Sequence, residues 1–153
     1  MFRRMTVMGV ALDPVANTPI VILKDAEGEE ILPIWIGFAE AHAIAAELEK
    51  VRFPRPMTHD LLRNILQGLE ARVERVEVVD LRDNTFYALI HLQLDRQRLA
   101  IDARPSDAIA LALRTESPIY VSEEVLRKSR REEEPDWDWI LEHMEREDFG
   151  GEA

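Results

Sequence analysis

The segment Ile101-Asp102-Ala103-Arg104-Pro105-Ser106-Asp107-Ala108 sets two carboxylates, one guanidinium and one hydroxyl at the junction of an apolar strand and an alanine-leucine helix. A helix start offers free backbone N–H groups, and beside a guanidinium fork it suits a phosphate, which gives Arg104 and Ser106 a binding part. Asp102 and Asp107 add hard oxygen ligands of the kind that hold magnesium or manganese for phosphodiester hydrolysis. The plainer reading is architectural. Ser106 then caps the helix, Pro105 stiffens its entry and Asp107 meets the positive end of the dipole. That reading leaves Asp102 and Arg104 without a part; both share strand parity with Ala100 and not with Leu99 or Ile101.

A second constellation is Arg55-Pro56-Met57-Thr58-His59-Asp60. Read plainly, Thr58 caps a helix whose first turn carries a solvated histidine and an aspartate. Read as chemistry, His59 is a general base or metal ligand oriented by Asp60, with Arg55 placed to hold a phosphate. In the next helix upstream, Glu40, Ile44, Glu47 and Val51 share one stripe. At a rim the two glutamates are solvated; in a cleft Glu40 joins Asp102 and Asp107 as a metal ligand. His91, on a mixed strand face, reads as a satisfied core or interface histidine. Phosphate-cradling glycine loops, zinc spacings and dinucleotide fingerprints are lacking, so no organic cofactor is expected.

These residues must be positioned by a frame that hydropathy patterning outlines. Residues 5–12, 19–24 and 31–36 read as strands, with Pro33 marking an edge or bulge. Helices follow over 38–50, with Phe38, Ala41, Ala45 and Leu48 as the core stripe, and over 59–70, with Leu61, Leu62, Ile65, Leu66 and Leu69 as the buried face. Three antiparallel strands, 72–81, 85–94 and 98–103, are joined by short turns at 82–84 and 95–97. The helix from Ser106, a short strand at 118–121 and a short helix opened by Ser122 complete the body. Strands cluster, then helices, then strands, which predicts an α+β fold. Its sheet is largely antiparallel or mixed, with three packed helices in a single domain.

The chain of 153 residues is 46% hydrophobic, enough for a real core. It has no cysteine and no apolar run long enough to span a membrane, so the cytoplasm is its expected compartment. The net charge of −11 argues against nucleic acid as a partner only on its face. Residues 132–153 hold ten acids against the single Arg146, which leaves the body near −2. Two units are therefore expected: a domain over 1–131 and an acidic tail over 132–153 with a short amphipathic segment around Trp137 and Trp139.

The run Ile31-Leu32-Pro33-Ile34-Trp35-Ile36-Gly37, then Glu40-Ala41, Arg55-Pro56, Thr58-His59-Asp60-Leu61, Asp83-Asn84-Thr85-Phe86-Tyr87-Ala88 and Asp102 to Ala112, resembles the bifunctional nuclease domain family of bacteria and plants. The resemblance covers about residues 5–128. It implies an α+β domain that self-associates, as a homodimer or higher oligomer, and that cleaves both DNA and RNA. It assigns motif positions and no roles. Glu40, His59, Asp60, Asp102, Arg104 and Asp107 fall within those motifs. The competing expectation is a non-catalytic module that oligomerises and binds a protein partner. The near-neutral body favours it, since a nuclease usually shows a positive track.

Overall fold

A computed structural model describes residues 1–130; the expected acidic tail lies outside the described residues. The chain runs β1 (Phe2–Leu12), β2 (Pro19–Asp25), β3 (Ile31–Trp35), α1 (Phe38–Leu48), α2 (Thr58–Gly68), β4 (Arg72–Arg82), β5 (Thr85–Leu94), β6 (Gln97–Ala103), α3 (Pro105–Thr115), β7 (Ile119–Ser122) and α4 (Glu123–Ser129). The strands form one mixed sheet in the order β3-β2-β1-β7-β4-β5-β6. All neighbours are antiparallel except β4 and β7. Pro33 sits on β3, an edge strand, where its missing N–H costs no ladder bond. The β4–β5 hairpin turns on Asp83 and Asn84, both at positive φ (50° and 60°), the conformation that tight two-residue hairpins demand and that Asp and Asn tolerate.

Helix α3 is the centre of the core. Ala108, Ile109, Ala110, Leu111 and Ala112 are all buried, and small residues let α1 and α2 approach it closely. The same cluster takes in Ile44 of α1, Val76 and Val78 of β4 and Val121 of β7. Val125 and Leu126 of α4 also join it, so the described residues carry four packed helices and not three. Ser122 caps α4 as expected, accepting from the Glu124 N–H at 3.2 Å.

Two helix faces differ from expectation. In α1 the inward stripe includes Ile44, Glu40 and Glu47, whereas Phe38 and Leu48 are exposed. Both glutamates meet cations there: Glu40 meets Arg104 at 3.1 Å, and Glu47 meets Lys50 at 3.3 Å and Arg52 at 3.8 Å. In α2 the face expected to be buried is largely open. Leu61, Leu62, Ile65 and Leu69 are 40–61% exposed, and only Leu66 packs on the core. Helix α2 crosses α3 through its N-terminal end and leaves its apolar stripe uncovered.

The core assignment has a direct test. Ile109→Ala should lower stability by about 2–5 kcal/mol, because the fully buried side chain leaves a cavity that a close-packed alanine neighbourhood cannot collapse. Urea denaturation followed by circular dichroism measures it; a loss below about 1 kcal/mol would take α3 out of the core.

Candidate active site

The first turns of three helices each carry an acid: Glu40 in α1, Asp60 in α2 and Asp107 in α3. Carboxylates are favoured there by the positive ends of the helix dipoles. Asp107 is the meeting point. Its Oδ1 accepts from His59 Nε2 at 2.8 Å, and its Oδ2 accepts from Arg104 Nε at 2.9 Å. Arg104 also reaches Glu40, with Nη2 3.1 Å from Oε2. Glu40, Arg104, Asp107 and His59 thus form one chain of contacts across α1, α3 and α2.

Burial pushes the Asp107 carboxyl up, but its bonds from Arg104 and His59 outweigh that, and it stays below the usual carboxylate range. The bond to Asp107 raises Arg104, with Glu40 adding to it. When the His59 ring is neutral, an ionised Asp107 must receive the Nε2 proton, which leaves Nδ1 as the acceptor. The buried imidazole therefore presents a basic nitrogen whose tautomer a carboxylate fixes, which is the logic of a histidine general base.

Asp60 takes a different place from His59's orienting partner. Its Oδ2 accepts from the Met57 N–H at 3.1 Å, and its Oδ1 from Arg114 Nε at 2.8 Å. Burial raises its carboxyl, yet the Met57 N–H and Arg114 hold it below the ordinary value. Arg114 itself is buried; Nη1 donates to the Ala110 carbonyl and Nη2 to the Ala43 carbonyl, both at 2.9 Å. Sequence reasoning passed over Arg114. A signal was present, since it lies two turns after Asp107 on the same helical face.

Two cavities flank Arg104. One, of about 390 Å³, is bordered by Glu40, His42, His59, Arg104, Asp107 and Arg114. The other, of about 370 Å³, is bordered by Trp35, Gly37, Asn84, Phe86, Arg104 and Ser106. Gly37 is the N-cap of α1, and a Cβ there would run into the Glu40 carboxylate. The glycine thus leaves room for Glu40 to fold back toward Arg104.

The remaining expected residues lie elsewhere. Asp102 pairs with Leu89 across β5 and β6, while its neighbour Ile101 pairs with Ile90, which packs on the helix-side core. Asp102 therefore faces the opposite side of the sheet from Asp107. The strand ends at Ala103, and the turn into α3 carries Arg104 to the helix side. Ser106 is buried in the first turn, and the N-cap is Arg104. Likewise Met57, not Thr58, caps α2. Arg55 borders a separate cavity with Arg52 and Arg63. His91 is satisfied by Glu77 at 2.7 Å, a largely buried pair. Among the described residues no three acidic or imidazole groups gather to hold a metal ion. Glu40 and Asp107 face each other across a guanidinium and Asp102 points away, so the expected Asp102–Asp107–Glu40 set does not fit a divalent cation.

The model of the bifunctional nuclease domain matches residues 21–134, most of the chain and every residue of this corner. The chain belongs to the bifunctional nuclease domain family. An uncharacterized protein of Mycobacterium tuberculosis is 46% identical over 123 residues, 80% of this chain and 73% of the relative. The rice protein Bifunctional nuclease 1 is 25% identical over 109 residues, covering 69% of this chain but 33% of the rice protein. Arabidopsis thaliana Bifunctional nuclease 1 is 26% identical over 118 residues, 74% of this chain and 36% of its own length. The match to these plant proteins thus spans about a third of them.

The electrostatics of the corner predict an acid limit. Asp107 and Asp60 are both lowered in the folded state, so their contribution is fully present above the unfolded value of about 3.9 and is lost as pH falls through the lower folded values. Thermal stability should therefore drop below about pH 4, and Asp107→Asn should flatten that part of the curve. A melting series from acid to neutral pH checks it; an unchanged slope in the variant would mean that the His59–Asp107–Arg104 contacts contribute nothing.

Proposed function

We propose that the His59–Asp107–Arg104 corner hydrolyses phosphodiester bonds of DNA and RNA. The observation that carries this reading is the 2.8 Å contact between His59 and Asp107, residues 48 apart that both lie within the span the family matches. Plant relatives of the same domain are named bifunctional nucleases. In this reading His59 Nδ1 takes the proton from an attacking water as its oxygen bonds to phosphorus, the bond from phosphorus to the leaving ester oxygen breaks, and that alkoxide takes a proton from the imidazolium or from solvent. Asp107 fixes the tautomer and stabilises the imidazolium. Arg104, with 64% of its side chain exposed, turns a guanidinium toward the developing phosphorane charge. No step is assigned to a cation. With no cysteine in the chain, the cytoplasm is the compartment we propose.

The non-catalytic reading is favoured by one observation: Glu40 and Asp107 outnumber Arg104, so the corner is tied into its own ion pairs. Cleavage of single-stranded DNA and of RNA separates the two. His59→Gln and Asp107→Asn should each lower the rate about 10²–10⁴-fold with the fold intact. Arg104→Lys should also lower it, because one ammonium cannot span Glu40 and Asp107. Arms with magnesium, manganese and chelator test the divalent cation. Equal rates in wild type, His59→Gln and Asp107→Asn would make the corner architecture.

We also propose that the protein is a homo-oligomer joined through α2. An amphipathic helix with Leu61, Leu62, Ile65 and Leu69 in water is unsatisfied as a monomer. A two-fold axis through that stripe covers it with its own copy. Sedimentation equilibrium should give a multiple of 17.7 kDa, reduced to the monomer by Ile65→Glu. A wild-type monomer at tens of micromolar would remove the proposal.

A further inference from the structure

Beyond the corner, across Arg114 and Phe53, lies a cavity of about 320 Å³ that the chemistry above does not use. Four guanidinium groups border it, from Arg52, Arg55, Arg63 and Arg114, against two carboxylates, Glu47 and Asp60. Both carboxylates are already engaged. Asp60 is held by Met57 and Arg114. Glu47 meets Lys50 at 3.3 Å and Arg52 at 3.8 Å. Among the described residues Arg63 hydrogen-bonds the neutral amide of Asn64, at 3.2 and 3.3 Å, and acts on the Asp60 carboxylate at longer range without an ion pair. Arg55 makes no hydrogen bond or ion pair among the described residues. Neither guanidinium is thus held in an ion pair among the described residues, and the longer-range field that Arg63 feels is that of Asp60, a carboxylate already bonded to Arg114 and the Met57 N–H. The backbone that carries Arg55 is stiffened by Pro54 and Pro56 on either side, so its position is prepared before any ligand arrives.

We propose that the Arg52–Arg55–Arg63 cavity is a phosphate-binding subsite distinct from the cleavage corner. Arginine forks match phosphate oxygens in pairs, and two of them with Asn64 as a neutral donor supply the bonds that a phosphate mono- or diester needs. The phosphate comes either from a nucleic-acid strand lying across the corner or from a small phosphorylated molecule. Phe53 and Arg114 border both cavities, so a strand with one phosphate at Arg104 continues past them into this subsite. Phosphate binding stands by itself; assignment of that phosphate to a substrate strand rests on the nuclease reading.

The test begins with inorganic phosphate, titrated into the full chain while the arginine side-chain N–H resonances are followed by NMR. Saturable shifts at Arg55 and Arg63 are expected in the wild type. The double variant R55Q/R63Q, altered at one exposed and one half-buried position, should bind at least 10-fold more weakly. Arg55→Lys with Arg63→Lys should recover part of the affinity through charge alone. Absence of saturation in the wild type overturns the subsite, as does equal affinity in the double variant. Neither readout requires cleavage, so failure of the nuclease reading is seen separately. A fluorescent phosphorothioate single strand then identifies the source. If the strand occupies the subsite, R55Q/R63Q weakens its binding and lowers the salt slope by about 0.7 per lost contact. If strand binding is unchanged while phosphate binding is lost, the subsite stands and its ligand is a small phosphorylated molecule.

Discussion

A buried guanidinium fixes the arrangement of the three helices. Arg114 keeps only 3% of its side-chain surface in water, and burial of a charge is tolerable only when its donors are satisfied. Its donors go to one partner in each helix: Asp60 in α2, the Ala43 carbonyl in α1 and the Ala110 carbonyl in α3 itself. Asp60 in turn accepts the Met57 N–H at the start of α2. The entry of α2 is thus registered against α3, and His59, the next residue in α2's first turn before Asp60, is delivered to Asp107. Loss of Arg114 would strand Asp60 and free α2 to slide, so the residue acts on the corner without touching its reacting atoms.

Asp107 is the second shared element. One oxygen holds the imidazole and the other holds Arg104, and Arg104 passes the connection on to Glu40. Glu40 can reach because Gly37 leaves the space its carboxylate fills. The strand-to-helix corner is therefore both a helix start and a network that joins all three helices. Pro105 and Asp107 serve as first-turn residues, and the same Asp107 sets a tautomer.

Local signals in the sequence outlined the frame well. The hairpin turn at Asp83-Asn84 and the strands beside it are decided within a few residues, by positive φ and by alternation, and both appear as expected. The strand parity of Asp102 with Ala100 is correct as well. What alternation cannot tell is where parity ends: the strand stops at Ala103, so Arg104 escapes to the helix side while Asp102 stays opposite. The apolar stripe of α2 is legible, but periodicity identifies a face without naming its cover. The His59–Asp107 contact joins residues 48 apart and depends on Arg114, a tertiary constraint that no local window contains.

The charge of the corner limits how it can work. With His59 neutral, two carboxylates face one guanidinium, and a phosphodiester entering that field meets net repulsion. Protonation of His59 would balance the corner but would remove its base. A polyanion therefore needs attraction from outside the catalytic network. Arg55 and Arg63 can supply it, because neither is tied into an ion pair among the described residues and their cavity shares walls with the corner. In the proposed reading, binding and chemistry are divided between two places, so that neither set of groups has to serve the other's electrostatics.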